Sequence, residues 1–242
     1  MDVKFGSGAF MVDPEDARRL AQSIVDVATG AGLSTVAWLT DMNRVLGHSA
    51  GNALEVRETI DWLIGRATDP RLDEVVFALG AEMLVLGRLA ASIDDARHRL
   101  VRARDEGRAA ERFARMVVAL GGPNDLLDRP DAHLPKAPVR RVITAGRPGS
   151  IARIDTRAVG LVVVSLGGGR TRAEDSIDPS VGLEHVIGTG ARVDIDTPLA
   201  TVHAASEEDA SAAEAALRAA VTIVDRKVAV DAPVVAARIT AG

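Results

Sequence analysis

The sequence contains no cysteine and no tyrosine. Without cysteine the chain has no disulfide framework, no zinc–thiolate site, no iron–sulfur cluster and no thiol nucleophile. Lysine is also scarce, because it occurs only as Lys4, Lys136 and Lys227, and all other basic residues except histidine are arginines. Chemistry that needs a lysine therefore has three candidate residues.

Long apolar runs and a strong charge of one sign are absent too. No stretch approaches the roughly 18 apolar residues that span a bilayer, and the start of the chain does not have the pattern of a signal peptide. The formal net charge is −5 over 242 residues, which gives no general electrostatic footprint for nucleic acid. We therefore expect a cytoplasmic protein that binds neither membrane nor nucleic acid.

The first half of the sequence predicts an α/β fold. Residues 1–5 are typical of a strand, Asp13 and Pro14 mark the start of a helix that ends near Gly30, and residues 34–39 predict a second strand. A strand, a helix and a strand in fewer than forty residues indicate a βαβ unit with a parallel sheet. Further helices are predicted over 52–64, 71–90, 93–105 and 108–120.

A proline-rich segment separates this half from the rest. Residues 123–138 contain four prolines among polar residues and predict a linker between domains 1–122 and 139–242. In the second domain we predict strands over 140–145, 149–154, 181–187 and 199–203, and helices over 155–166 and 207–224.

The turn Gly6-Ser7-Gly8 is the first candidate for chemistry. It follows a strand and precedes a helix, the position at which ligands approach the carboxyl ends of parallel strands. It has neither the dinucleotide-binding nor the P-loop pattern, so a plain connecting turn remains the alternative. Lys4 on the same strand would face a ligand or pair with an acidic neighbour.

The second candidate is a loop of small residues over 46–51 that runs into a helix. Asn52 and Glu55 have the spacing of a capping box, and Glu55 and Glu58 lie on neighbouring faces of the helix. A carboxylate beside loop carbonyls suits a hard cation, while an ordinary solvated helix face is the alternative. The five histidines show no metal-ligand spacing, and no Gly-x-Ser-x-Gly motif occurs.

Five segments together resemble a known family. They are, in order, MDVKFGSGAFM, LTDMNRVLGHSAGNALEVRE, LPKAPV, LGGGRTRAEDSIDPSVG and PLATVHA. The set is similar to the thymidine phosphorylase branch of the pyrimidine nucleoside phosphorylases. This resemblance implies a pentosyltransferase that uses phosphate to convert a pyrimidine nucleoside into free base and sugar 1-phosphate. It also implies an α/β domain with a mixed or parallel sheet flanked by helices, followed by a smaller α+β domain like a barrel-sandwich hybrid.

The resemblance also implies site residues. Phe10 matches a position that lines the base pocket, and an apolar ring suits that task. Asp2, Lys4 and the Gly6–Gly8 turn (Gly6, Ser7 and Gly8) match the strand and turn beside the substrate cleft. A potassium-like cation is held in the family by two carbonyls and a glutamate, which fall on Leu46, Ser49 and Glu58.

The family's glycine-rich phosphate segment and its pyrimidine-gripping residues have no counterpart in these 242 residues. We therefore expect the catalytic groups upstream of Met1, an incomplete catalytic unit here, and a homodimer only at full length. A non-catalytic binding or assembly module derived from a truncated phosphorylase is the alternative. A lipoyl-like carrier is excluded, because no lysine lies between Lys136 and Lys227.

Overall fold

A computed structural model describes residues 1–229 and 233–241. Within them the helices are α1 Pro14–Gly30, α2 Asn52–Leu63, α3 Pro70–Leu86, α4 Ile93–Asp105, α5 Arg108–Ala119, α6 Pro130–His133, α7 Thr156–Val163 and α8 Glu207–Ala220. A π-helical turn follows α7 at Val164–Gly168. The strands are β1 Asp2–Phe5, β2 Ala37–Asp41, β3 Val139–Thr144, β4 Gly149–Ile154, β5 Gly182–Glu184, β6 Arg192–Val193, β7 Pro198–Ala204, β8 Val221–Val224 and β9 Val235–Ile239.

The predicted βαβ unit is confirmed. Strands β1 and β2 pair in parallel, and β9 pairs antiparallel with the other edge of β2, which makes the sheet mixed. Helix α1 begins where the sequence predicts, because the Asp13 carboxylate accepts the backbone N–H groups of Glu15 and Asp16 and Pro14 occupies the first turn. The small residues Ala17 and Ala21 are fully buried and pack α1 against the sheet.

Helix α3 is tied to the same sheet by a buried carboxylate. Glu82 is only 3% exposed and accepts two hydrogen bonds from Arg238, from Nε at 2.7 Å and from Nη2 at 2.8 Å. Trp38 Nε1 donates a third at 3.2 Å. The hydrogen bonds from Arg238 outweigh the cost of burial and lower the pKa of Glu82 below its ordinary value of 4.5.

The second half of the chain forms two small antiparallel sheets. One has the strand order β3-β7-β5 and the other has the order β6-β4-β8. Helices α7 and α8 belong to the same apolar core, which includes Ile151, Val202 and Leu217. The expectation of an α/β fold followed by a smaller C-terminal α+β domain is confirmed, and both of these sheets are open.

Several predicted bounds were wrong. The helix predicted over 207–224 ends at Ala220, because the β-branched run 221–224 forms β8 and pairs with β4. The strand predicted over 34–39 is β2, which begins three residues later and ends two residues later, and the strand predicted over 181–187 shortens to β5. The strand β9 was not predicted.

The described residues fall into two units that the chain order does not separate. The first contains Met1–Met42, Trp62–Phe113 and residues 233–241, and the second contains Asn43–Asp61 and residues 114–229. The pairing of β9 with β2 explains why the first unit contains both the first residues of the chain and residues 233–241. The domain division at 122 and 139 follows chain order and stays a prediction.

Candidate functional site

The first candidate region is the turn that follows β1, and it lies in the first unit. Met42 fixes the base of this turn: its N–H donates to the Phe5 carbonyl at 2.8 Å, and its carbonyl accepts the Gly8 N–H at 3.0 Å. Gly6 has φ +101°, a conformation that side chains disfavour. The turn thus sits at the carboxyl ends of two parallel strands, where open α/β sheets bind ligands.

Lys4 is paired rather than free. Its Nζ lies 2.6 Å from Asp2 Oδ2 and 3.4 Å from Thr40 Oγ1, and the Thr40 hydroxyl donates to Asp2 Oδ1 at 2.6 Å. Lys4 and Thr40 are direct neighbours in the parallel register, so the three side chains share one face of the sheet. About a third of the Lys4 side chain stays open to solvent, at 38% exposure.

Phe10 lies at the far side of the turn and its side chain is fully exposed. An exposed phenylalanine next to a rigid backbone turn is available as one wall of a ligand pocket. The Gly6 N–H donates to the Val12 carbonyl at 3.1 Å, and this bond joins the two ends of the segment 6–12, which contains Phe10.

An ion pair at the end of β2 was missed by the sequence reasoning. Arg71 Nη2 lies 3.3 Å from Asp41 Oδ2 and donates to the Asp41 carbonyl at 3.2 Å. Asp41 is 8% exposed, although it is charged. The available signal was an aspartate at the end of a buried strand and next to Met42, which holds the turn.

The second candidate region is the loop over 46–51, which lies in the second unit. Glu58 on α2 accepts the His48 N–H at 2.6 Å and the Ser49 N–H at 3.1 Å, one on each carboxylate oxygen. A Cβ on Gly47 would lie 2.5 Å from Glu58 Oε1, so a larger residue there would require the Glu58 carboxylate to shift. The loop is therefore wrapped around the carboxylate.

The start of α2 differs by one residue from the capping prediction. Glu55 accepts the N–H of Gly51 at 3.1 Å, and its own N–H donates to the Gly51 carbonyl at 2.9 Å. The reciprocal bonds thus use Gly51 instead of Asn52, because Gly51 adopts φ +143°.

The donor chemistry of this loop fits a hard monovalent cation. A carboxylate oxygen has more than one lone pair, so Glu58 can accept a backbone N–H and still face a cation. The His48 carbonyl accepts the Val186 N–H at 2.8 Å and is thereby engaged, while the carbonyls named by the resemblance, those of Leu46 and Ser49, flank it. All three predicted ligands are oxygen donors, as such cations require.

Other candidates have structural roles. Gly167, near the end of the helical segment that follows α7, has φ +95°, and its carbonyl accepts the Asp178 N–H at 2.9 Å, as is typical of a glycine that ends a helix. Across residues 1–229 and 233–241, no three histidine or acidic side chains cluster as a metal site would. In the same part of the chain, no helix has the length and apolarity that crossing a membrane requires.

Comparison with known proteins agrees with the sequence motifs. Residues 150–224 match the model of the pyrimidine nucleoside phosphorylase C-terminal domain, and residues 1–110 match that of the glycosyl transferase family a/b domain. The thymidine phosphorylase of Burkholderia cenocepacia J2315 is 56% identical over 218 residues, which cover 90% of this chain and 50% of that protein. Those of Burkholderia lata and Burkholderia orbicola MC0-3 are 56% and 55% identical, over 88% and 90% of this chain and 48% and 50% of theirs.

The chain thus spans about half the length of the curated relatives it matches. The two matched models lie in the same order as the two halves of the fold, the a/b domain first and the C-terminal domain second. Both the predicted family and the predicted class of enzyme, a pentosyltransferase by family, are supported. The chain is thus similar along most of its length to pyrimidine nucleoside phosphorylases, and the curated relatives that it matches are thymidine phosphorylases.

Proposed function

We propose that this chain provides the C-terminal half of a thymidine phosphorylase. In that reaction phosphate bonds to C1′ of the sugar as the bond from C1′ to the pyrimidine breaks, and free base and sugar 1-phosphate leave. The observation that carries the proposal is 56% identity over 90% of the chain to a protein of that name.

The first candidate region would supply one side of the substrate cleft. Its exposed Phe10 ring offers an apolar wall for the base, and the backbone of the Gly6–Gly8 turn permits close approach of the sugar. Lys4 would act as a local positive charge whose place is fixed by Asp2 and Thr40. On this proposal the first candidate region binds substrate, and the remaining groups that the reaction needs lie on another part of the enzyme.

The second candidate region would bind a potassium ion through Glu58 and the carbonyls of Leu46 and Ser49. The ion would supply a fixed positive charge that orders the loop. Glu58 already holds the loop through two backbone N–H groups, so the chain contributes a largely preformed set of oxygen donors.

Phosphorolysis requires phosphate and nucleoside to be held in line, and charge to be stabilised as the glycosidic bond breaks. In the relatives a further half of similar length is available for these tasks. We propose that this chain acts with such a half, in the cytoplasm and within a homodimer of the complete enzyme.

The direct test is phosphate-dependent release of thymine from thymidine. We expect no turnover above background with the 242-residue chain alone, and turnover when the part of the Burkholderia cenocepacia enzyme that it does not match is added as a second polypeptide. Native mass spectrometry of the same mixture should show association. Turnover by the chain alone at ordinary enzyme rates would contradict the proposal that a second half is required. A stable monomer that does not associate with the added half would favour a different function.

A further inference from the structure

The loop over 46–51 is held from a second side by a segment that is remote in sequence. Ala50 and Leu183 exchange both backbone hydrogen bonds, each of 2.8 Å. The Val186 N–H donates to the His48 carbonyl at 2.8 Å, and the Ala53 N–H donates to the Pro179 carbonyl at 3.0 Å. We call residues 179–187 the clamp segment, because the backbone groups of Leu183 and Val186 bond to the loop and the Pro179 carbonyl bonds to the start of α2.

Two glycines make this close pairing possible. Gly51 has φ +143° and Gly182 has φ +150°, both in the region that side chains rarely adopt. A Cβ on Gly182 would lie 2.4 Å from the Ala50 carbonyl oxygen, and a Cβ on Gly51 would lie 2.6 Å from the Val181 carbonyl oxygen. Each clash is with backbone, so a larger residue must push the loop and the clamp segment apart.

The clamp segment is itself fixed to the rest of the second unit. Leu183 is fully buried in the core, and β5 pairs antiparallel with β7. Glu184 accepts a hydrogen bond from Arg140 Nη2 on β3 at 2.7 Å and lies 3.2 Å from His203 Nε2 on β7. Glu184, the residue after Leu183, therefore links β5 to both β3 and β7.

The loop thus lies between two fixed partners. Glu58 takes the N–H groups of His48 and Ser49 on one side, and the clamp segment takes the carbonyl of His48 and both groups of Ala50 on the other. These bonds hold the backbone at His48 and at Ala50, the two chain neighbours of Ser49. Cation affinity depends strongly on such supporting contacts around the ligands.

We propose that the clamp segment sets the spacing of the cation ligands, and that Gly51 and Gly182 are positioning residues for the cation. This inference rests on the proposed potassium site. Its consequence is that the C-terminal sheet, which carries none of the predicted ligands, controls how tightly the loop binds the ion.

Hydrogen–deuterium exchange of the wild-type chain tests this without any substitution. Exchange is compared in potassium chloride and in choline chloride at equal ionic strength. We expect potassium to slow exchange in both 46–58 and 179–187. Protection confined to 46–58 would overturn the clamp while leaving the cation site standing. If potassium slowed exchange in neither segment, the cation site would be refuted, and the proposed role of the clamp segment in cation binding would be refuted too.

The Gly182→Ala variant tests the same inference by affinity. Potassium affinity is obtained from the dependence of the melting temperature on potassium concentration. We expect the dissociation constant to rise about 10–100-fold. The matched control is Gly160→Ala, because an added Cβ there meets nothing within 4 Å. Equal affinity in a folded Gly182→Ala and in Gly160→Ala would overturn the proposal; if Gly182→Ala does not fold, the wild-type exchange experiment decides.

Discussion

The two candidate regions are built in different ways. The turn that carries Phe10 is held by backbone hydrogen bonds, those of Met42 at its base and that of Gly6 with Val12, and its ring is fully exposed. The loop over 46–51 is held on one side by the Glu58 carboxylate and on the other by backbone pairing with the clamp segment.

This difference separates two requirements of a binding site. A cation needs its oxygen donors at nearly fixed distances, and in the proposed site residues of the same unit would hold the loop that carries them. A pyrimidine base needs walls on several sides, and we propose that the turn provides one of them. The loop is therefore expected to work within this chain alone, whereas the turn needs a second half of the cleft.

The largest effect is expected from Glu58→Ala in the loop. The substitution leaves the His48 and Ser49 N–H groups without their charged acceptor, so the free energy of unfolding of the second unit should fall by about 2–3 kcal/mol. Urea unfolding measures this loss. Glu55→Ala is the control, because Glu55 accepts only the single Gly51 N–H and should cost about 1 kcal/mol. Equal losses would show that Glu58 does not hold the loop.

A smaller loss is expected in the first unit from Glu82→Gln. The amide keeps the size of the side chain but removes the charge that faces Arg238, so we expect a loss of about 1–2 kcal/mol in urea unfolding. The variant should also reduce the loss of stability on acidification below about pH 4.5, since the lowered pKa of Glu82 stabilises the fold only above that range. An unchanged acid profile would refute the role of this pair.

As the pH falls below neutrality, the stability of the second unit should decrease before that of the first. Burial lowers the pKa of His203 below its ordinary value of 6.5. The nearby Glu184 acts in the opposite direction and raises this pKa, whereas Arg140 and His185 lower it further. The unfolded chain therefore takes up the proton first, and stability should begin to fall as the pH drops below about 6.5. We expect the difference in urea midpoint between pH 7.5 and pH 5.5 to shrink in His203→Gln. An equal difference in both proteins would contradict this assignment.

The smallest effect on folding is expected from Phe10→Ala. The ring is fully exposed, so the free energy of unfolding should change by less than about 0.5 kcal/mol. In the reconstituted enzyme the same variant should raise the KM for thymidine, because the base loses an apolar wall. A substantial loss of stability with an unchanged KM would show that the ring serves the fold rather than the substrate.

Local patterns predicted the parts of the fold that depend on nearby residues. The start of α1 at Asp13-Pro14 and the parallel βαβ unit follow from capping and periodicity, and they are confirmed. The prediction of one helix over 207–224 is wrong for the β-branched run 221–224, because the pairing of this run with β4 is a contact remote in sequence. The strand β9 was not predicted for the same reason, since its pairing with β2 also joins residues remote in sequence.

The candidate site shows the same limit. The pairing of Lys4 with Asp2 was one of two interpretations that the sequence left open, and the structure shows that pairing. The roles of Phe10 and of the cation ligands stay predictions. The clamp segment could not be recognised, since nothing in the local sequence around Gly182 indicates that its partner lies 131 residues earlier, at Gly51.

The most direct test of the central claim is a covalent chimera. The part of the Burkholderia cenocepacia thymidine phosphorylase that this chain does not match is fused ahead of Met1, and phosphate-dependent thymine release is measured with the parent enzyme as the reference. The account predicts turnover that requires phosphate and that falls when Phe10 is replaced by alanine. A chimera that folds and dimerises but releases no thymine would contradict the claim that this chain carries half of a phosphorylase site.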